Sequence, residues 1–323
     1  MGKCLVTKLN GSSNNSNLLR IGEMRIKFNK VSNPTATTQC VIINVSRDTK
    51  IEIIGDGYFT DSSLAQNNGK NLTITANIAT EVYVSNNDIE LAILDKYAIR
   101  NISIKSNYNG SASFDIGSLK YSTPLITLYM TNMPTYGDIS ALKNLTSLTN
   151  FNGNGTNVSG DIANLKNLTS LTNLDGSNTN VSGDIANLKN LTNLNSLRFT
   201  STNVSGDIAN LKNLTKITNM EFKNVAGLTG DMGTLPDNIL FFTGGSGKFT
   251  WTTSSRTYIL ATEKAHCDKI DDMLNDMATK TAKFIGEQAW YKRIELIGTR
   301  TSASDAAVQT LQGKGYTVSI TPA

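Results

Sequence analysis

One unit of 23 residues recurs along the middle of the chain and limits what the chain can fold into. The segment VSGDIANLKNL begins at Val158, at Val181 and at Val204. A fixed period of about 20 to 29 residues, with Leu at regular spacings inside it, predicts a solenoid of short coils. One coil cannot bury its apolar side alone, so the coils must stack and present one long surface, which is typical of binding proteins. The Asp of the unit recurs at Asp115, Asp138, Asp161, Asp184, Asp207 and Asp231.

The overall charge and hydropathy do not predict nucleic-acid binding or membrane insertion. Charged residues are 17% of the 323 residues, the net charge is +4, and the Lys residues are spread singly through the repeats. Nucleic-acid binding is therefore not predicted. No stretch approaches the roughly 18 to 20 apolar residues that span a bilayer, so membrane insertion is not predicted. The start, MGKCLVTKLNGSSNNSN, lacks the apolar core of a signal peptide, and we expect the protein to reach any outside surface by another route.

The residues that could carry chemistry do not form a recognisable set. Cys4, Cys40 and Cys267 fit no disulfide framework and are predicted to be free thiols. A metal or nucleophile at His266-Cys267 would need further ligands or partners that the sequence does not offer. The segment GGSGK lacks phosphate-loop spacing, because Phe249 stands where Ser or Thr belongs. The prediction is a non-enzymatic protein with no cofactor and no metal.

The regions on either side of the repeats differ from them in pattern. Residues 1–30 are predicted to be an attachment segment, in which LLRIGEMRIKFN could be one strand with its edge free for a partner. Residues 31–112 contain short β-branched runs separated by Asn, Gly and Asp, which permits a small sandwich or irregular coils that lead into the solenoid. The second alternative is favoured because IELAILDKYAIRNISIKSNYN already looks like a degenerate coil.

The solenoid is assigned to residues 113–243, and its coil can be oriented from the repeat. We predict a strand near Asn173 to Ser177 with parallel neighbours, and a short helical or 3₁₀ segment at IANLKNL. Gly183 is expected at a sharp corner, stacked on the same corner of the next coils. The repeated Asp is expected to cap IANLKNL, and the repeated Lys (Lys143, Lys166, Lys189, Lys212) to lie on a solvated face. The inward-facing residues of the model coil are Ile162, Leu165, Leu168, Leu171, Leu174 and Val181.

Residues 244–323 change to a strand–helix pattern. EKAHCDKIDDMLNDMATKTAKFI has apolar residues at helical spacing, RIELIGTR indicates a buried strand, TSASDAAVQTLQGKG a helix, and TVSIT a last strand. Strand, helix and strand with short links predict parallel pairing. We therefore expect a βαβ cap that continues the sheet and covers the last coil. The whole chain is predicted to be an α/β solenoid with a β-rich N-terminal region and this C-terminal cap.

One column of the repeat takes five different residue types while the structural positions of the coils repeat. By the two-residue alternation of a strand it faces away from core residues such as Leu174, on the concave side of the sheet. Variation at a surface otherwise held constant favours ligand binding, with neutral drift as the alternative. The column reads Tyr129, Asn152, Asp175, Arg198 and Glu221.

The unit LxxLxxLxxLxxxxTxVSGDI resembles the plant-type leucine-rich repeat, with VSGDI where that family has LSGxIP. It departs from that family at Thr156, Thr179 and Thr202, where Asn is usual, and at Gly153 and Gly176, where a strand Leu is usual. The whole chain also resembles uncharacterised repeat proteins of gut Bacteroides and of their phages, through MGKCLVTKLNG…LLRIGEMRI and GTRTSASDAAVQTLQGKGYTVSITPA. This second resemblance implies a capsid or tail accessory protein of a virion.

Three hypotheses of function follow. The first is a phage display protein that is attached to virion proteins by residues 1–30 and presents the concave face to a host-surface glycan or protein. It would be assembled in the host cytoplasm, and it could be a homo-oligomer. The second is a bacterial adhesin or protein-binding scaffold, at the cell surface or in the cytoplasm. The third, a glycan-cleaving enzyme, is disfavoured because Asp175 and Glu221 lie two coils, roughly 10 Å, apart.

Overall fold

The fold is described by a computed structural model, in which β-strands are stacked along one continuous core. It describes residues 24–28, 39–45, 49–55, 71–74, 80–84, 89–93, 99–105, 112–113, 115–120, 122–132, 135–252, 254–284 and 292–323. Over these residues the strands form a twelve-stranded, a six-stranded and a five-stranded sheet. A contiguous cluster of buried apolar side chains runs from Ile51 to Tyr316. The chain is therefore an α/β solenoid of leucine-rich-repeat type, as the period predicts.

Each repeat contributes one strand to the main twelve-stranded sheet, and its neighbours are parallel. The predicted strand near Asn173 to Ser177 is observed as Asn173–Asp175, and the predicted inward-facing residues of that coil are all buried. The strands of this sheet from the repeats are β9 (Thr127–Tyr129), β11 (Asn150–Asn152), β13 (Asn173–Asp175), β15 (Ser196–Arg198), β17 (Asn219–Glu221) and β19 (Phe241–Thr243).

The VSGD segments form a second parallel sheet, which the sequence analysis did not predict. This second sheet places Gly183 inside the strand Asn180–Asp184, with a φ of +113°, and not at the expected sharp corner between segments of the coil. The parallel register pairs Gly183 with Val204, so the predicted stacking of glycine on glycine is wrong. The strands are β10 (Tyr136–Asp138), β12 (Asn157–Asp161), β14 (Asn180–Asp184), β16 (Asn203–Asp207), β18 (Gly227–Asp231) and β20 (Lys248–Thr250).

The glycine is needed there because the repeated Asp of the preceding coil occupies the space beside it. A β-carbon on Gly183 would overlap the Asp161 carboxylate, and one on Gly160 would lie 2.6 Å from Oδ1 of Asp138. Asp161 in turn accepts a hydrogen bond from the Ala163 amide at 2.8 Å and caps the 3₁₀ turn that follows, which confirms the predicted capping role. The capped 3₁₀ turns are Ile116–Leu119, Ile139–Leu142, Ile162–Leu165, Ile185–Leu188, Ile208–Leu211 and Met232–Thr234.

The N-terminal region packs two antiparallel groups of strands on the start of the solenoid. β7 (Ile99–Lys105) pairs parallel with β9 and antiparallel with β2 (Gln39–Val45), so the main sheet continues into this region. β6 (Ile89–Ile93) lies in the five-stranded sheet instead, so the prediction that IELAIL and NISIKS form one degenerate coil is wrong. Buried Ile51 and Ile93 of one group join Ile102 of the other in the common core, as a small sandwich requires.

The expected free edge of the first strand is contradicted. β1 pairs antiparallel with β6 on one side and with β8 on the other. The preceding residues 1–23 lie outside the described residues. The strands are β1 (Met24–Phe28), β2 (Gln39–Val45), β3 (Thr49–Gly55), β4 (Asn71–Ile74), β5 (Thr80–Val84), β6 (Ile89–Ile93), β7 (Ile99–Lys105) and β8 (Ala112–Ser113).

The C-terminal cap continues the main sheet with further parallel strands, as predicted. β21 (Ala261–His266), β22 (Arg293–Ile297) and β23 (Thr317–Thr321) are parallel and follow β19 in the sheet. The helices are α1 (Ile270–Ala278) and α2 (Asp305–Gly313), with a short 3₁₀ turn at Ser302–Ser304. Of the described residues 263–284, which the sequence pattern suggests are helical, 270–278 form the α-helix, while EKAH is the end of β21.

Candidate functional site

The varied column forms a straight row on the outer face of the main sheet. The parallel registers place Tyr129 beside Asn152, Asn152 beside Asp175, Asp175 beside Arg198, and Arg198 beside Glu221. Adjacent members are therefore separated by the strand spacing of about 4.8 Å. The alternate residues of the same strands point into the core and are buried. The geometry expected of the row is observed, and its role in binding stays a prediction.

Two members of the row also brace the backbone. Oδ1 of Asn152 accepts a hydrogen bond from the Asn154 amide, and Oδ1 of Asp175 accepts one from the Ser177 amide, both at 3.0 Å. Such bonds to the amide two residues further on stabilise the turn that leaves the strand. These two residues offer their remaining polar atoms to a ligand, but they are held in place by the turn.

The other members have side chains with more freedom to respond to a ligand. Tyr129 is 38% exposed. Arg198 and Glu221 form an ion pair at 3.6 Å, with exposures of 44% and 36%. Glu221 also accepts a bond from the Thr200 hydroxyl at 3.3 Å. An ion pair this exposed contributes under about 1 kcal/mol, so a ligand can replace one partner at small cost.

The row does not end with the repeats. Glu221 lies beside Thr243, and Thr243 beside Glu263 of β21. From β22, Arg293 approaches Glu263 at 3.3 Å and Glu295 at 3.6 Å, and its guanidinium carbon lies 6.0 Å from the centre of the Phe241 ring. A cavity of about 280 Å³ opens here; it is lined by Arg198, Asn219, Glu221, Phe241, Thr243, Glu263 and Arg293.

The residues on the cap side of this cavity were not predicted from the sequence. Phe241 and Thr243 could have been found, since LFFT repeats the outward–inward alternation of the preceding strands with one residue lost from the spacing. Glu263 and Arg293 carry no such signal. They arrive beside the row because β21 pairs with β19, and because α1 then connects β21 to its parallel neighbour β22.

The neighbouring column of the sheet is polar throughout and contains a side-chain hydrogen bond between coils; it reads Thr127, Asn150, Asn173, Ser196 and Asn219. Asn173 donates from Nδ2 to Oδ1 of Asn150 at 2.7 Å, one coil away. Asn150 in turn donates to the Thr149 hydroxyl at 2.8 Å. The bond between Asn173 and Asn150 joins two neighbouring coils through side chains at the same position of the repeat.

The other residues singled out in the sequence lie elsewhere. His266 and Cys267 border a cavity of about 520 Å³ together with Lys248. Burial raises the pKa of the Cys267 thiol to about 11, so it stays protonated and unreactive at neutral pH. The segment Gly244 to Lys248 leads into β20, a strand, whereas a phosphate loop leads into a helix. The repeated Lys residues follow the 3₁₀ turns and are exposed, as expected.

Within the described part of the chain, no group of three or more His, Cys, Asp or Glu side chains is placed to hold a metal ion. Neither of the helices seen there has the length and apolar character needed to cross a membrane.

Comparison with known proteins gives similarity of fold only. No family model matches this chain, and no curated protein matches it. Among solved structures, the ectodomain of the receptor kinase SOBIR1 from Arabidopsis thaliana is 22% identical over 41% of this chain and 74% of its own, with a TM-score of 0.36. Internalin C2 from Listeria monocytogenes is 15% identical over 82% of this chain and 95% of its own, with a TM-score of 0.43.

A third match is the Arabidopsis receptor kinase HAESA ectodomain in complex with an IDA peptide hormone ligand. It is 20% identical over 57% of this chain, with a TM-score of 0.41, and this chain spans 32% of its length. The first and third of these are described as leucine-rich-repeat ectodomains. The fold of the present chain is a leucine-rich-repeat solenoid, assigned from its own stacked coils and parallel registers.

Proposed function

We propose that this chain is a non-enzymatic binding protein whose ligand lies along the row from Tyr129 to Glu221 and ends in the cavity shared with the cap. The observation that carries the proposal is the continuity of the row. Side chains of different chemistry stand side by side from Tyr129 to Glu263 on one face of the main sheet. An extended ligand that crosses the strands would contact one of these side chains on each strand.

A protein or peptide segment fits the charged end of the row better than a neutral glycan does. The cavity contains Arg198, Glu221, Glu263 and Arg293, already arranged in ion pairs. Covering these groups with sugar hydroxyls would remove water from four charges without supplying opposite ones. A peptide that carries both acidic and basic side chains supplies them, and Phe241 offers an apolar contact between.

A non-enzymatic role is supported by what the carboxylates do. Asp175 accepts a backbone hydrogen bond, and Glu221 is paired with Arg198. They stand on strands separated by β15, hence roughly 10 Å apart. Both observations suit ligand contacts and turn bracing.

The binding test compares two double variants that remove the same charge. A random peptide library, a glycan array and host-surface proteins are screened with the wild-type protein, and hits are measured again with Arg198→Ala/Arg293→Ala and with Lys166→Ala/Lys189→Ala. We expect at least about a tenfold loss for the first variant and little change for the second. A loss only in the Lys variant would move the site to the 3₁₀ side and overturn the proposal. Binding to glycans alone would overturn the choice of a peptide ligand.

For the biological setting we propose a phage particle, on which residues 1–30 attach the chain to virion proteins and the row faces a host surface. The support is the resemblance of the terminal segments to proteins of Bacteroides phages. The alternative is a bacterial adhesin or scaffold. Mass spectrometry of purified particles tests this, with the full chain expected at constant stoichiometry to the capsid protein; its absence from particles would favour the alternative.

A further inference from the structure

The last strand of the cap, β23, is the outermost strand of the main sheet. It pairs with β22 over its whole length, from Thr317 beside Arg293 to Thr321 beside Ile297. On its other side, no strand pairs with it among the described residues. A strand in this position presents a row of unpaired backbone donors and acceptors to solvent.

The register shows which backbone groups face outward. The Gly298 amide donates to the Thr321 carbonyl at 2.9 Å, so Thr321 directs its backbone groups to the β22 side. Because successive residues of a strand alternate, Thr317 and Ser319 do the same. The N–H and C=O groups of Val318 and Ile320 therefore point away from the sheet.

Nothing in this strand protects the edge. Natural edge strands commonly carry Lys, Pro or a bulge, which prevent pairing with another chain. The segment TVSIT contains none of these, and its residues are alternately exposed and half-buried. Val318 and Ile320 are the half-buried residues and pack at the margin of the core.

The strand is also symmetric in character about Ser319. Thr317 and Thr321 match each other, and Val318 matches Ile320. We propose that a second copy of this chain pairs with β23 antiparallel, related by a two-fold axis through the two Ser319 residues. An interface of this kind uses the same patch on both copies, so a strand that reads alike in both directions fits it.

The proposed pairing gives hydrogen-bond partners to the outward-facing backbone groups of Val318 and Ile320 and to no others. Val318 of one copy exchanges both backbone hydrogen bonds with Ile320 of the other, and the two-fold axis repeats this. The next pair outward would join Tyr316 and Pro322. Pro322 has no N–H, and the Tyr316 N–H already donates to Leu311 at 3.1 Å. The ladder therefore stops at the ends of the segment TVSIT.

The side chains suit the same register. On the core side, Val318 would lie opposite Ile320, which covers the exposed part of both. On the outer side, Thr would face Thr and Ser would face Ser, pairings that stabilise antiparallel strands. No charged side chain of the strand meets its own copy. The two twelve-stranded sheets would then form one sheet across the dimer.

The test uses charge at the two-fold axis. Sedimentation equilibrium on the full chain from about 1 µM to about 500 µM is expected to show a monomer–dimer equilibrium for the wild type. Ser319→Lys and Ser319→Glu each place like charges opposite each other and should be monomeric, while an equimolar mixture of the two should dimerise again. Ser319 is exposed, so both variants should melt close to the wild type when measured as dilute monomers.

Two results would overturn the proposal. One is a wild-type protein that stays monomeric over the whole concentration range. The other is a dimer that persists in both single variants, since that dimer must use another surface. Gln312→Lys, on the exposed side of α2, is the control for added charge and should leave the dimer unchanged.

Discussion

The repeat coils and the C-terminal cap share one parallel sheet, but they are held together by different kinds of contact. In the coils, the contact that caps the 3₁₀ turn is copied at the same position of the next coil: Asp161 accepts the Ala163 amide and Asp184 accepts the Ala186 amide, both at 2.8 Å. In the cap, each contact is made once. Asp276 accepts the Trp251 indole and the Ser254 amide, an arrangement with no counterpart elsewhere in the sequence repeat.

The difference shows where function can vary. A contact that every coil repeats must stay constant, and it leaves the outer column free to change without disturbing the stack. A cap contact constrains one place only, and the cap can bring a residue such as Arg293 to the row without regard to the period. The candidate cavity lies at the boundary between the repeat coils and the cap.

The largest effect is expected at the junction of the two regions. Arg256 is 5% exposed and donates to the carbonyls of Leu235 and Pro236 at 2.9 and 2.7 Å, and also to that of Ile239. Arg256→Met should lower the free energy of unfolding by about 3 to 5 kcal/mol, because the Leu235 and Ile239 carbonyls lose the guanidinium donor, while the Pro236 carbonyl keeps only the Ile239 amide. Denaturant melts measure this. Arg256→Lys keeps the charge but loses the planar guanidinium, so its stability should lie between those of the wild type and Arg256→Met. If Arg256→Met melts like the wild type, the junction does not depend on this residue.

The next effect lies inside the repeats. Gly183→Val should cost about 3 kcal/mol, because Gly183 has a positive φ and its β-carbon would overlap the Asp161 carboxylate. Ser182→Val is the matched control at the adjacent, half-buried position and should cost under about 1 kcal/mol. Equal losses in thermal melts would contradict the role assigned to the glycine.

A smaller effect tests whether the repeated Asp caps contribute equally to stability in neighbouring coils. Asp184→Ala removes one cap of a 3₁₀ turn and should cost about 1 kcal/mol. Asp161→Ala removes the same contact one coil earlier and should cost the same within error. If the two values differ by more than about 0.5 kcal/mol, the coils are not energetically equivalent.

The smallest effect at neutral pH comes from the buried thiol of the cap. Burial raises the pKa of Cys267 to about 11 from 9.0, so the folded protein keeps a proton that the unfolded chain releases. The resulting stability is present below about pH 9 and is lost as the pH rises toward 11, with a loss of about 1 kcal/mol at pH 10. The difference in unfolding free energy between the wild type and Cys267→Ala should therefore shrink between pH 8 and pH 10. A constant difference would show that the thiol does not titrate in this way.

The sequence alone determined the coil. A repeat of 23 residues fixes which positions face the core, because identical coils can stack only with their apolar sides aligned, and this is why Leu174 was placed inward and Asp175 outward. The capping Asp and the parallel cap strands also followed from local patterns. Gly183 was recognised as a special position, but not the second sheet in which it lies, since a sheet is a relation between coils and the pattern describes one coil at a time.

Only the tertiary structure decided what lies beside the row and at the ends of the sheet. Residues 221, 263 and 293 share no period. They meet because β21 pairs with β19 in the main sheet and α1 then returns the chain to the same sheet as β22. The same holds for β1, whose edge is occupied by β6 and β8, strands more than sixty residues further along. Contacts between distant segments depend on the path of the chain between them, and no local spacing of residues encodes that path.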